Sequence, residues 1–294
     1  MFVIEIPCCD LDLLYYSTQA YRWIKVNDNK YIVINGDKIV LVQQRKDKKA
    51  FICPEEKFYE DWYDYFDIGY DYFESLIKAK KFAKVSSQNC PLSKYLIKQY
   101  RKLRILKNDL LETMIFYALD EGIDFYNTIL YKQRRKDKRE DKIKDICEMF
   151  GKKRHNTLDG ISIKWNEFPS IEDFTNDIAR ITTLTQNEVK RIKLIIYRLR
   201  EQNDILSQIR ASDDYDETYE LLQSIYDDPI WIKNVMLYAL EFKQAFPIRE
   251  SNKKTFHDLQ LSPKMFAQFD DVKGLLLEYY KMSENKSTLS KWSK

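Results

Sequence analysis

Glycine is scarce in this chain, with six residues in 294. So little glycine argues against glycine-rich phosphate-binding loops and for long helices. Histidine is scarcer still, at two (His155 and His257). The five cysteines (Cys8, Cys9, Cys53, Cys90, Cys147) are scattered, odd in number and form no CxxC pair. These absences argue against a zinc site or an iron–sulfur cluster and predict reduced thiols, mostly in cores. No metal and no other cofactor is expected. No apolar run approaches the roughly 18–20 residues that span a bilayer, so no membrane partner is expected either. The opening stretch, "MFVIEIPCCDLDLLYY", carries Glu5 and Asp10 and no basic region. It is not read as a signal peptide, and the protein is expected in the cytoplasm.

What is present is ordinary for a globular protein: 44% hydrophobic and 32% charged residues. The length suits one large domain or two modest ones. A net charge of +3 does not announce a nucleic-acid binder, but the charges are unevenly placed. Basic stretches are "QYRKLRILK" (99–107), "YKQRRKDKRED" (131–141) and "KRIKLIIYRLR" (190–200). Residues 211–228, "ASDDYDETYELLQSIYDD", hold seven acids and no lysine or arginine.

The first eighty residues or so read as β-rich. "YRWIKVND" and "NKYIVING" are short β-branched or aromatic runs, followed after Asn35-Gly36-Asp37 by "DKIVLVQQ". This pattern predicts an antiparallel meander with tight turns. Aromatic-rich "FYEDWYDYFDIGYDYFESLIKAKKF" (58–82) then leads into helical spacing. In "NDLLETMIFYALDEG", Asn108 or Asp109 can cap a helix, with Glu112 placed for a capping box. Further helices fit "FYNTILYKQRRKDKREDKIKDICEMFG", "SIEDFTNDIARI", "TQNEVKRIKLIIYRLREQNDIL", "YDETYELLQSIY", "PIWIKNVMLYALEF" and "VKGLLLEYYKM". The predicted fold class is α+β. An antiparallel β domain covers 1–88, a mostly helical domain 89–285, and a frayed polar tail 286–294.

The order of these pieces resembles the 8-oxoguanine DNA glycosylase family of the helix-hairpin-helix superfamily over nearly the whole chain. "STQAYRW" (17–23) is similar to the family's GQ-x-FRW strand, and "YFDIGYDY" (65–72) to its YFDL…DY segment. "LRILKNDLLET" (103–113) resembles the entry to the first large core helix. "NEFPSIEDF" (166–174) resembles the FPTPEEL segment between subdomains. "YALEFKQAFPI" (238–248) resembles the end of the hairpin's second helix and the turn after it, and "KGLLLEYYK" (273–281) the closing helix. The resemblance implies a β domain like that of the TATA-binding protein. Two helical subdomains with a cleft between them would follow, with the hairpin near 213–249.

Base excision in the family uses a lysine amine to attack C1′ of the deoxyribose and a carboxylate to support charge on the sugar. Aligned back from Pro247 without gaps, the lysine's place holds Ile230 and the aspartate's holds Arg249. Isoleucine cannot form a Schiff base, and a guanidinium opposes an oxocarbenium ion. Lys233, one helical turn from Ile230, and Glu250 are fallback candidates that each need a change of register. The plainer reading of Lys233 is a solvated helix lysine, and that of Glu250 a turn acid. The family's base-reading glycine is here Thr18. Leu277 and Lys281 stand where the closing helix, after Gly274, would present Gln and Phe. "LDEGID" (119–124) replaces an Asn cluster, and Tyr226-Asp227-Asp228 replaces the glycine turn that offers N–H groups to a phosphate. Each such acid costs about 0.7 kcal/mol against a phosphate about 6 Å away in water.

A glycosylase scaffold without base-excision or lyase activity, acting by binding, is therefore expected. DNA would meet Lys132, Arg134, Arg135, Lys136, Lys138 and Arg139, with the protein then nucleoid-associated. A solvated face of alternating charge is the plainer reading of that stretch. A basic protein partner would instead meet the acidic 211–228 segment. The competing expectation is an active glycosylase on a modified base, working through Lys233 and Glu250.

Overall fold

The computed structural model describes residues 1–6, 9–17, 19–46, 48–72, 74, 77, 104–119, 138–245 and 247. The N-terminal part is a five-stranded antiparallel sheet of β1 (Phe2–Glu5), β2 (Trp23–Asn27), β3 (Lys30–Asn35), β4 (Lys38–Arg45) and β5 (Lys48–Phe51), in the order β1-β5-β4-β3-β2. The meander read from the sequence forms its β2-β3-β4 half. Between β3 and β4 the chain reverses at Gly36, whose φ of +59° suits a residue without Cβ. The short strands β1 and β5 complete the sheet on the other side.

Alternation along the strands gives the sheet two apolar faces. Tyr31, Val33, Val40, Val42 and Phe51 enter the main core, which runs through the helices as far as Ala245. Ile32, Ile34 and Leu41 face the other way and are covered by Leu158 and Ile163. Those two residues belong to a separate hairpin, β6 (Lys153–Leu158) and β7 (Ile161–Asn166). Its turn residues Asp159 and Gly160 have φ of +51° and +75°, the two left-handed positions that a tight hairpin turn requires. Lys30 pairs with Asp159 at 2.6 Å and holds the tip against the sheet. Gly151 permits the entry to β6, because a Cβ there would lie 2.0 Å from the Glu167 carbonyl oxygen.

Helices α1 (Leu11–Tyr16) and α2 (Glu55–Asp61) accompany the sheet. The rings of Phe58, Trp62, Tyr65 and Phe66 are buried in the main core. Helix α3 (Leu110–Ala118) is apolar almost all round and lies at the centre, as such a helix must. Around it stand α4 (Lys138–Phe150), α5 (Gln186–Glu201), α6 (Ile205–Ala211), α7 (Tyr215–Ile225) and α8 (Pro229–Tyr238). Helix α5 starts with a complete capping box between Thr185 and Glu188. Asp204, in the left-handed region at φ +61°, separates α5 from α6, which the sequence pattern joins into one helix.

The helix expected over "SIEDFTNDIARI" is reduced to a 3-10 turn, Asn176–Arg180. Asp173 accepts from both the N–H and the hydroxyl of Ser170, and Thr175 caps Asp177, so local side chains take the helix's first donors. Arg200 donates to the carbonyls of Ile171 and Phe174 and satisfies the non-helical backbone. The expected helix over "VKGLLLEYYKM" and the polar tail lie outside the described residues.

Candidate functional site

Helices α7 and α8 pack against one another as a hairpin joined by Tyr226, Asp227 and Asp228. Asp228 caps α8: its carboxylate accepts from Ile230 N at 2.8 Å and from Trp231 N at 3.0 Å. Pro229, at the first helical position, has no N–H to offer. The next N–H, of Ile232, bonds to the Asp228 carbonyl at 2.9 Å. Every backbone donor at this helix start is thus absent or used within the chain. Asp227 accepts from Gln223 at 2.8 Å, and the Tyr226 ring packs edge-on against Trp231 at 5.4 Å.

The electrostatics around the turn are negative. Asp213, Asp214, Asp216, Glu217, Glu220 and Asp227 are exposed along α7 and its two ends. The Tyr219 phenol is raised above its ordinary value, first by burial and then by Asp227 and Asp228. An anion approaching the turn meets carboxylates rather than free N–H dipoles.

Ile230 is half-buried at the second position of α8. Its carbonyl accepts from Asn234 at 2.9 Å. Lys233, one turn on, is also half-buried, and no described carboxylate pairs with it. Helix α8 is fixed by Trp231, whose indole N–H donates to the Met114 carbonyl at 2.8 Å. Tyr238 adds a stack against Tyr117, with ring centroids 5.5 Å apart. The positions of Ile230 and Lys233 are therefore set by α3.

The motif residues that carry the resemblance do different work. Gln19 is fully buried; its amide donates to the Arg104 carbonyl and accepts from Leu106 N, each at 2.7 Å. Arg22 donates to the carbonyls of Gly36 and Asn166 and pairs with Glu112 at 3.3 Å. Glu112 also accepts from Gly36 N at 3.1 Å, while Asn35 accepts from Asp109 N at 2.7 Å. The expected capping box is accordingly half made. Asp109 caps α3 through Glu112 N, but the Glu112 side chain turns to the sheet and to Arg22. Burial raises its carboxyl above the usual value despite that guanidinium. Arg104 lies over the Tyr72 ring and donates to the Asp67 carbonyl. Lys243 pairs with Asp67 at 2.9 Å.

In the basic stretch at 131–141, Arg139 is buried and not on a DNA-facing surface. It is 2% exposed, with its guanidinium stacked over the Phe116 and Tyr117 rings, because α4 turns this side of its first turn onto α3. Lys138 opens α4. Lys132, Arg134, Arg135 and Lys136 lie outside the described residues, as do Thr18, Arg249, Glu250, Gly274, Leu277 and Lys281. Among the described residues no cluster of three His, Cys, Asp or Glu is assembled for a metal. Burial pushes the Cys147 thiol up to about 12 and the Cys53 thiol up to about 11, so neither is a ready nucleophile or ligand.

A five-stranded antiparallel sheet leading into helices, with a helical hairpin on the buried helix α3, is the fold of the 8-oxoguanine glycosylases. Residues 2–114 match the sequence model of the family described as 8-oxoguanine DNA glycosylase, N-terminal domain. Among solved structures, the Clostridium acetobutylicum 8-oxoguanine glycosylase/lyase in its apo form is similar over 95% of this chain and 94% of its own, with 24% identity and a TM-score of 0.73. The same glycosylase/lyase bound to double-stranded DNA with cytosine opposite 8-oxoG matches over 97% and 94%, at 24% identity and a TM-score of 0.74. MBOgg1 in complex with a low-affinity DNA ligand matches over 97% and 95%, at 20% identity and a TM-score of 0.74. No functionally curated protein matches the sequence.

Proposed function

We propose that this protein is a glycosylase-fold protein that binds DNA, or a protein partner, without excising a base. The observation that carries this reading is the start of α8, where Ile230 stands at the position aligned with the nucleophile. The same helix start has its N–H groups taken by Asp228. An aliphatic side chain can neither attack C1′ nor hold a proton, and a self-capped, acidic turn gives a phosphate no donor. Two of the similar structures hold DNA, which supports DNA as the first partner to test. The exposed acids of 211–228 favour a basic protein as the second. Purified protein is expected to release no base from duplex or single-stranded substrates carrying oxidised or alkylated bases. Free base, or a borohydride-trapped protein–DNA adduct, would overturn the reading.

One observation favours the competing activity: Lys233 follows Ile230 by one turn and has no described counter-ion. If Lys233 is the nucleophile, trapping occurs in the wild type and disappears in Lys233→Gln.

A further inference from the structure

The β6–β7 ribbon lies outside the helical hairpin, and its two faces differ. Leu158, Ile161, Ile163 and Trp165 turn toward the sheet, with Leu158 and Ile163 buried there. The opposite face carries Lys153, His155 and Thr157 on β6, directly across from Asn166, Lys164 and Ser162 on β7. All of these but Asn166 are exposed, and none is an acid. His155 and Lys164 are direct cross-strand partners, and His155 Nε2 lies 2.9 Å from Ser162 Oγ. The carboxylates in the ribbon's turn and just after it are engaged elsewhere: Asp159 with Lys30, and Glu167 with Arg154.

We propose that this solvent face binds the phosphodiester backbone of nucleic acid, with Lys153 and Lys164 neutralising phosphates and His155 beside them as a hydrogen-bonding contact. The proposal rests on the DNA-binding form of the reading above, and it places the contact away from the acidic α7–α8 turn. Thr157, Ser162 and Asn166 add the neutral donors that commonly bond phosphate oxygens. No exposed apolar side chain stands on this face to enter a lipid layer, so a nucleic acid fits it better than an anionic membrane. Residues two apart on a strand are about 6.8 Å apart, twice the axial rise of roughly 3.4 Å per phosphate along one DNA strand. The contacts invoked here are all with the backbone, so binding is expected to be independent of sequence.

The test uses the full chain and an unmodified duplex at several salt concentrations. It compares the wild type with Lys153→Glu/Lys164→Glu and with Lys153→Gln/Lys164→Gln, each checked for native folding by circular dichroism. The plot of log affinity against log salt is expected to become shallower by about two in the double variants. With two histidines in the sequence, the imidazole NMR signals are simple to assign. The His155 signal is expected to move when DNA is added to the wild type and to stay in place in the variants. Unchanged slopes in folded variants, with the wild type still binding, overturn the ribbon as the contact and leave the DNA-binding reading standing. No binding by the wild type at low salt overturns both. Stronger capture by phosphatidylserine vesicles than by duplex at equal salt overturns the choice of nucleic acid.

Discussion

At the junction between the sheet and α3, polar side chains tie distant segments together. At the α7–α8 turn they tie the chain only to itself. Gln19, Arg22, Asn35 and Glu112 each make at least one hydrogen bond that bridges 74 to 144 positions of sequence. Asp228 and Asp227 reach no further than four residues. The first group makes the two parts of the fold one body, and the family-like motifs are concentrated in it. The second group stabilises a local turn and removes the donors that a phosphate would use. Resemblance in the junction is therefore evidence about architecture, whereas the turn is where chemistry and partner choice must be read.

The largest effect is expected at the junction. Glu112→Ala leaves Arg22 buried without its counter-charge and should lower stability by about 3–5 kcal/mol in a urea titration. A loss under about 1 kcal/mol would mean that the two parts hold together without the ion pair. At the turn, Asp228→Ala should lower stability by about 1 kcal/mol through loss of the cap. It should also raise affinity for duplex DNA at low salt, since an anion leaves and two N–H groups are freed. Asp228→Asn keeps the cap but not the charge, and should raise affinity with little change in stability. If neither substitution changes DNA binding, the turn does not face the nucleic acid.

A comparable loss, about 1 kcal/mol, is expected for Trp231→Phe, which removes the indole donor to Met114 while keeping most of the ring. The smallest effect is in pH. Burial raises the Glu112 carboxyl, so the folded state holds that proton more tightly than the unfolded chain. Its contribution is present below the ordinary carboxylate value and is lost as pH rises through the raised one. Glu112→Gln has no such proton, so the stability difference from wild type should vary with pH across that window and be constant below it.

The sequence exposed the parts of the fold whose signals are local. Asn35-Gly36-Asp37 between β-branched runs marks the central hairpin, and Asn108 or Asp109 the start of α3; the Thr185–Glu188 capping box of α5 emerges only in the structure. The β6–β7 hairpin was missed, although Asp159-Gly160 with alternating Ile161, Ile163 and Trp165 carried its signal. Strands β1 and β5 have four residues each, too short to show a period before the sheet assembles them. Sequence spacing makes Glu112 a capping residue because spacing shows only local partners. Its bonds to Gly36 and Arg22 exist only once the chain has folded. Arg139 stands in a charged run, whose pattern implies exposure, and only the packing of α4 on α3 shows otherwise.

The start of α8 also limits how this protein could change. Removing the carboxylate of Asp228 still leaves the ring of Pro229 in place of one amide. Replacing Pro229 alone leaves the carboxylate over the other two. A seat with all three N–H groups of the first turn free is therefore two substitutions away, and the first of them frees two amides only by giving up the cap.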